Sequence, residues 1–180
     1  SEELELAVAR ANRAAERGLG DPAQAEPFPL FLLKGCPVVQ LPVVDGGPEW
    51  PLRCSSIASW FCVREIEVSA LNAGDLAFTA SSVKLSLSAS KADQSARGCS
   101  RELECSCDLL PLPSWLCPYH AARAQLEAVV LNHKADTKDL MRLVPLFPAA
   151  DGSRPSKAAM VDTIRVLAAR VPQYSRSPVD

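Results

Sequence analysis

Residues 54–91 read CSSIASWFCVREIEVSALNAGDLAFTASSVKLSLSASK. The stretch 54–71 predicts a helix, with Ser55 or Ser56 as its cap. At about 100° per residue, Ile57, Trp60, Phe61, Val68 and Leu71 share one stripe, and Cys62, Val63 and Ile66 lie opposite. A helix apolar nearly all round belongs at the centre of a core. Arg64 falls inside that stripe. An arginine there is costly unless it snorkels, pairs with Glu65, Glu67 or Asp75, or meets an anion such as a phosphate. Asn72–Asp75 is a turn, and Leu76–Thr79 a short strand. Val83, Leu85, Leu87 and Ala89 then alternate with Lys84, Ser86, Ser88 and Ser90, the mark of a half-exposed strand paired in a hairpin. Lys91 follows at its end, where an edge lysine is ordinarily solvated. The fold class expected is α+β: mostly helical, with an antiparallel sheet of about three strands.

Outward from this stretch, residues 2–17 predict an amphipathic helix, stopped by Gly18 and Gly20. Residues 20–53 hold seven of the fifteen prolines and predict an extended arm, docked through Phe28, Leu30, Phe31, Leu32 and Leu33. Residues 1–53 are therefore taken as a helix and arm, and residues 54–180 as the main domain. Towards the C-terminus, residues 118–132 predict a helix with Pro118 in its first turn. Leu146-Phe147-Pro148 is extended, Asp151-Gly152 turns, and Ser156 caps a helix running from Lys157 to about Val171. Met160, Val161, Ile164, Leu167, Ala168 and Val171 are its expected buried stripe.

The chain has 180 residues, enough for a core without disulfide staples. At 48% hydrophobic and 22% charged, it is not a disordered polymer. No apolar run is long enough for a membrane helix, and no signal peptide is legible, so a nuclear or otherwise intracellular setting is expected and secretion is not. It begins with Ser, which suggests a fragment of a longer protein. Net charge is −2, mildly against a nucleic-acid partner, but Arg154, Lys157, Arg165, Arg170 and Arg176 face only Asp162 within 154–176.

Seven cysteines without a secretory signal default to thiols, and clustered thiols suggest metal. Cys105-x-Cys107-x9-Cys117-x2-His120 gathers three of them with one of the two histidines. Cys3His is a closed tetrahedral set suited to structural zinc, with no open position for catalysis. Cys99 is a spare ligand in this reading, and His133 a surface histidine. No cysteine has a His-and-acid relay, and Cys105-x-Cys107 is not the redox Cys-x-x-Cys, so a thiol enzyme is disfavoured.

The stretch 60–93, WFCVREIEVSALNAGDLAFTASSVKLSLSASKAD, resembles the first half of the catalytic domain of tyrosine recombinases, the phage integrase superfamily. It looks most like the divergent recombinase-like type, with Ser90-Lys91-Ala92-Asp93, a Cys/His insert over 99–120, then Leu146-Phe147-Pro148, Asp151-Gly152 and Ser156-Lys157. The resemblance implies a helix presenting Arg64 and a hairpin presenting Lys91, both as catalytic residues, with Glu65 and Asp75 as further matches. It also implies DNA as partner through its phosphate backbone, and self-association on DNA. An arginine fork stabilises the charge that develops on a phosphodiester, and a lysine can protonate the leaving oxygen. The family's H-x-x-R and nucleophilic tyrosine have no counterpart in place. His120-Ala121-Ala122-Arg123 comes before the Leu146 segment, and neither Tyr119 nor Tyr174 stands where the nucleophile would. The expectation is a partial catalytic domain that stops before those elements and does not cleave DNA. The alternative is a zinc-stabilised module that binds protein or nucleic acid, with no catalytic activity.

Overall fold

The computed structural model describes residues 30–87, 98–108, 113–134 and 137–171. The 2–17 helix, Lys91 and Tyr174 lie outside the described residues.

The alternating stretch is the middle of a sheet. Strand β2 (Ser82–Leu87) pairs antiparallel with β1 (Leu76–Phe78) on one side and with β3 (Cys99–Glu104) on the other. Opposed residues share a face, so the register sorts the strands into two surfaces. Leu76, Leu85 and Arg101 form one inward row, and Phe78, Val83 and Leu103 the next. Outward, Lys84 stands opposite Glu102, and the Ser82 hydroxyl donates to the Glu102 carboxylate at 2.5 Å.

The 54–71 helix is not continuous. Helix α1 spans Pro51–Trp60, and α2 spans Glu65–Ala70. Pro51 takes the first helical position, where its missing N–H costs nothing, so α1 starts before Ser55. It ends in a Schellman pattern: Cys62 N–H donates to the Ser59 carbonyl at 3.2 Å, and Val63 N–H to the Ala58 carbonyl at 3.0 Å. Cys62 has φ 49°, the left-handed conformation usually given to glycine. Arg64 is consequently the N-cap of α2 and not a mid-helix residue, and its N–H donates to Glu67 Oε2 at 2.8 Å.

Helix α3 (Pro118–His133) lies against the sheet and against α1. The short α4 (Lys138–Met141) follows, and then α5 (Lys157–Ala169), which packs on α1 and α2. Ser156 caps α5 as expected, accepting from Ala159 N–H at 3.1 Å. The stripe of α5 is Met160, Thr163 and Leu167, continued by Val171 just beyond, whereas Ile164 is exposed. Ile57, Phe61, Val68, Val83, Leu85, Leu146, Phe147 and Met160 belong to the main core. A second cluster of Leu30, Leu33, Leu52, Leu116, Leu167 and Val171 docks the proline-rich arm, through a 3-10 turn at Leu30–Gly35. Leu30 and Leu33 are the buried residues of that turn; Phe31 and Leu32 point outward.

Candidate metal centre and the residues around it

Two structural ends meet at the Cys/His set. The first is the end of β3. Cys105 follows that strand directly, and its N–H donates to the Ser81 carbonyl at 2.8 Å, extending the pairing. Cys107 lies in the turn that leaves the sheet. The second end is the head of α3. A 3-10 turn at Ser114–Leu116 brings the chain in, and Cys117 is the N-cap. His120 is then the third helical residue. N-cap and N3 side chains lie side by side, as in a capping box, which is the physical reason for the Cys-x2-His spacing.

One ligand atom from each of Cys105, Cys107, Cys117 and His120 lies within 4.8 Å of all the others. His120 Nδ1 is 3.6, 3.2 and 3.4 Å from the sulfurs of Cys105, Cys107 and Cys117. Cys117 Sγ is 3.7 Å from Cys105 Sγ. Around a tetrahedral zinc, bond lengths of about 2.3 Å to sulfur and about 2.05 Å to nitrogen imply S···S edges near ~3.8 Å and S···N edges near ~3.6 Å. These four separations lie near those edges, so the four residues could hold a metal ion such as zinc.

The electrostatics point the same way. Burial raises the Cys117 thiol, but hydrogen bonds from His120 and Ser106 outweigh it and bring it down to about 6. Ser106 N–H donates to its sulfur at 3.4 Å. Cys107 is pushed up to about 12 by burial and by the neighbouring Cys117 and Cys105. Three thiolates cannot share so small a volume without a cation, and a divalent ion removes the conflict.

Cys99 is no spare ligand. It pairs with Leu87 at the far end of β3 and is exposed. Cys54 is buried in the core, where burial pushes its thiol up and leaves it neutral. His133 is not a plain surface histidine: its Nε2 lies 3.4 Å from Oε2 of the buried Glu49, whose Oε1 accepts from Gln40 Nε2 at 3.0 Å. His120 faces the sulfurs, and Arg123 pairs with Glu127 at 3.1 Å on the exposed side of α3, so His120 and Arg123 serve different purposes. Tyr119 packs edge-on against Phe78 and His120.

The helical stripe of 54–71 implies a buried Arg64; the residue is instead exposed at the head of α2, because the Schellman turn lifts it out of α1. Among the described residues, none of the expected acids pairs with its guanidinium. Glu65 meets Lys157 at 3.3 Å, Glu67 takes the Arg64 backbone N–H, and Asp75 takes the Asn72 N–H at 2.8 Å. Lys91 lies in the 88–98 segment linking β2 to β3, outside the described residues. The Glu65–Lys157 pair sets the start of α5 beside the start of α2.

Of the basic residues in 154–176, Arg154, Lys157 and Arg165 have partners within the fold, and Arg176 lies outside the described residues. Arg154 donates to the Ser69 carbonyl at 2.7 Å, the Leu71 carbonyl at 3.3 Å and Asn72 Oδ1 at 2.8 Å, closing the C-terminal end of α2. Arg165 pairs with Asp162 at 3.1 Å.

No protein-family model, no curated protein and no solved structure matches the chain. Among the described residues, no helix is long and apolar enough to cross a membrane.

Proposed function

We propose that the chain is a DNA-contacting domain of the tyrosine-recombinase type, stapled by zinc at Cys105, Cys107, Cys117 and His120, and without strand-cleaving activity of its own. The observation that carries the reading is the state of Arg64. It opens α2, exposed, and among the described residues no carboxylate forms an ion pair with its guanidinium, although, after its own backbone hydrogen bond and Lys157, the Arg64 charge helps to hold the Glu65 carboxyl down. A guanidinium left open in this way suits a phosphate, which accepts its planar fork. Lys157, at the start of α5, lies beside the start of α2 and so near Arg64. Zinc supplies a cross-link between the end of the sheet and the head of α3, and no substrate chemistry.

Two experiments test this. A short duplex should bind the zinc-loaded chain weakly, with affinity falling steeply as salt rises, because phosphate contacts release counterions. A nicked suicide duplex should give no covalent protein–DNA band on a denaturing gel. A band that disappears in Tyr174→Phe would make Tyr174 a nucleophile and overturn the inactive reading. No duplex binding at low salt would overturn the DNA reading.

The second reading is a zinc-stabilised binding module without catalytic ancestry. The exposure of Arg64 is compatible with it too, since exposure supports contact with a phosphate but not the packing that usually holds a catalytic arginine. It predicts that Arg64→Ala and Arg10→Ala weaken DNA binding equally.

A further inference from the structure

We propose that the groove between α1 and α5 is the seat of the chain's own residues 2–17, bound there as a helix through an alanine-rich face. The inference does not depend on the DNA reading.

Helix α1 is packed by α3, α5 and the arm, but among the described residues one of its faces is left open. Ser55, Ala58, Ser59 and, in the turn that follows, Cys62 recur at i, i+3, i+4 and i+7. With Val63 and with Ile164 of α5 they line a groove of about 240 Å³. Ser59, Cys62 and Ile164 are exposed along it. Beneath it a recess of about 30 Å³ runs between Ala58, Val68 and Met160. These volumes fall below the roughly 300–1,000 Å³ of pockets that enclose a small ligand, so the groove suits the ridge of a helix instead. The second observation is Ser55. It is 4% exposed, lines both groove and recess, and its hydroxyl has no hydrogen-bond partner among the described residues. Buried hydroxyls are normally satisfied, so this one marks where an acceptor belongs.

The side chains that α1 presents to the groove are all small. The distance between packed helices is set by the side chains at the contact, so a small-faced helix seats closest here. Residues 2–17 lie outside the described residues, and their sequence has such a face. On the expected helix, Leu4, Ala7, Val8, Ala11, Ala14 and Ala15 recur at i, i+3, i+4, i+7, i+10 and i+11, with every glutamate and arginine on the other side. Leu4 or Val8 supplies the aliphatic group for the recess, and the alanines let a backbone carbonyl approach the Ser55 hydroxyl. The attachment point fits as well. Leu30 is held in one cluster with Leu167, and Ile164 lies one turn earlier on α5, about 4.5 Å along its axis. Residues 18–29 can span roughly 40 Å, so the tether reaches with slack. A tether of this length holds the segment at an effective concentration on the order of millimolar, which favours it over a second copy of the chain.

The test is hydrogen exchange read by mass spectrometry on the zinc-loaded full chain at low concentration, with the rate of Cys62 alkylation by iodoacetamide measured beside it. Ala11→Glu puts a charge on the alanine face without touching the described fold. Ser59→Trp fills the groove from an exposed position, and zinc content and circular dichroism confirm its fold. Wild-type amides of residues 4–16 should exchange at least about 10-fold slower than in either variant. Cys62 should react about 10-fold slower in wild type than in Ala11→Glu, while Cys99, exposed at the far end of β3, reacts equally in both. Amides of residues 4–16 that exchange at the unfolded-chain rate in wild type would overturn the proposal. So would protection that survives Ser59→Trp, which would seat the segment elsewhere, and protection found only in a dimer by native mass spectrometry, which would make a second copy the occupant.

Discussion

At the scale of single residues, Cys117 bears the most. It is fully buried, it begins α3, and its sulfur accepts from Ser106 N–H while facing His120. A helix N-terminus favours negative charge, so the position suits a thiolate before any metal arrives. Cys117→Ser should abolish metal binding and lower stability by about 3 kcal/mol or more, read as a lower urea midpoint. Cys54→Ala should keep the metal, because Cys54 lies in the core and is not among the four ligands; loss of zinc in that variant would contradict the assignment. The ligand set was legible in the sequence because its spacing is local: a pair at the end of one strand and a pair on one helical turn. The neighbours that tune it were not. Ser106 acts through its backbone N–H, which any residue but proline would supply. Glu49 and His133 come together only once the 30–50 arm is folded over the end of α3.

Among the elements, the α1–α2 junction decides where Arg64 stands. The helical periodicity of residues 54–71 is genuine on both sides of the break, and no glycine or proline marks the break itself. Cys62 takes the left-handed position at a cost that an L-residue's Cβ imposes. Cys62→Gly should relieve it and raise stability by about 0.5 kcal/mol, checked by urea denaturation against Cys62→Ala; a drop would mean the turn is held by contacts of the cysteine side chain. At the other end of α2, Arg154 satisfies two carbonyls and a side-chain oxygen. Arg154→Ala should destabilise by about 1–3 kcal/mol, since charge-assisted bonds are lost and their acceptors are stranded. A neutral result would return Arg154 to the pool of surface charge. Strand β3 escaped the sequence because CSRELE has no apolar alternation: only Leu103 is more than slightly covered, and the strand is defined by pairing with β2.

For the whole molecule, two joints hold the layers together. One is the second hydrophobic cluster, which fixes the arm to α5 through Leu30, Leu33 and Leu167. The other is the Cys/His cluster, which brings the end of the sheet against the head of α3 and would tie them together on binding a metal ion. The mixed α and β architecture with a small antiparallel sheet was legible from period-2 and helical patterning. The packing of α2 against α5 was not, because it depends on pairs far apart in sequence, Glu65 with Lys157 and Arg154 with Ser69. Surface placement of Arg64 follows from the α1–α2 turn, and the packing of α2 against α5 holds that turn in place, so the DNA-contacting reading presupposes an intact fold. The most direct test is native mass spectrometry of the purified chain with a chelator melt in parallel. The account predicts one zinc per chain, its loss in Cys117→Ser, and a thermal transition that falls sharply when the metal is stripped. A folded chain that carries no metal and melts at the same temperature with and without chelator would contradict it.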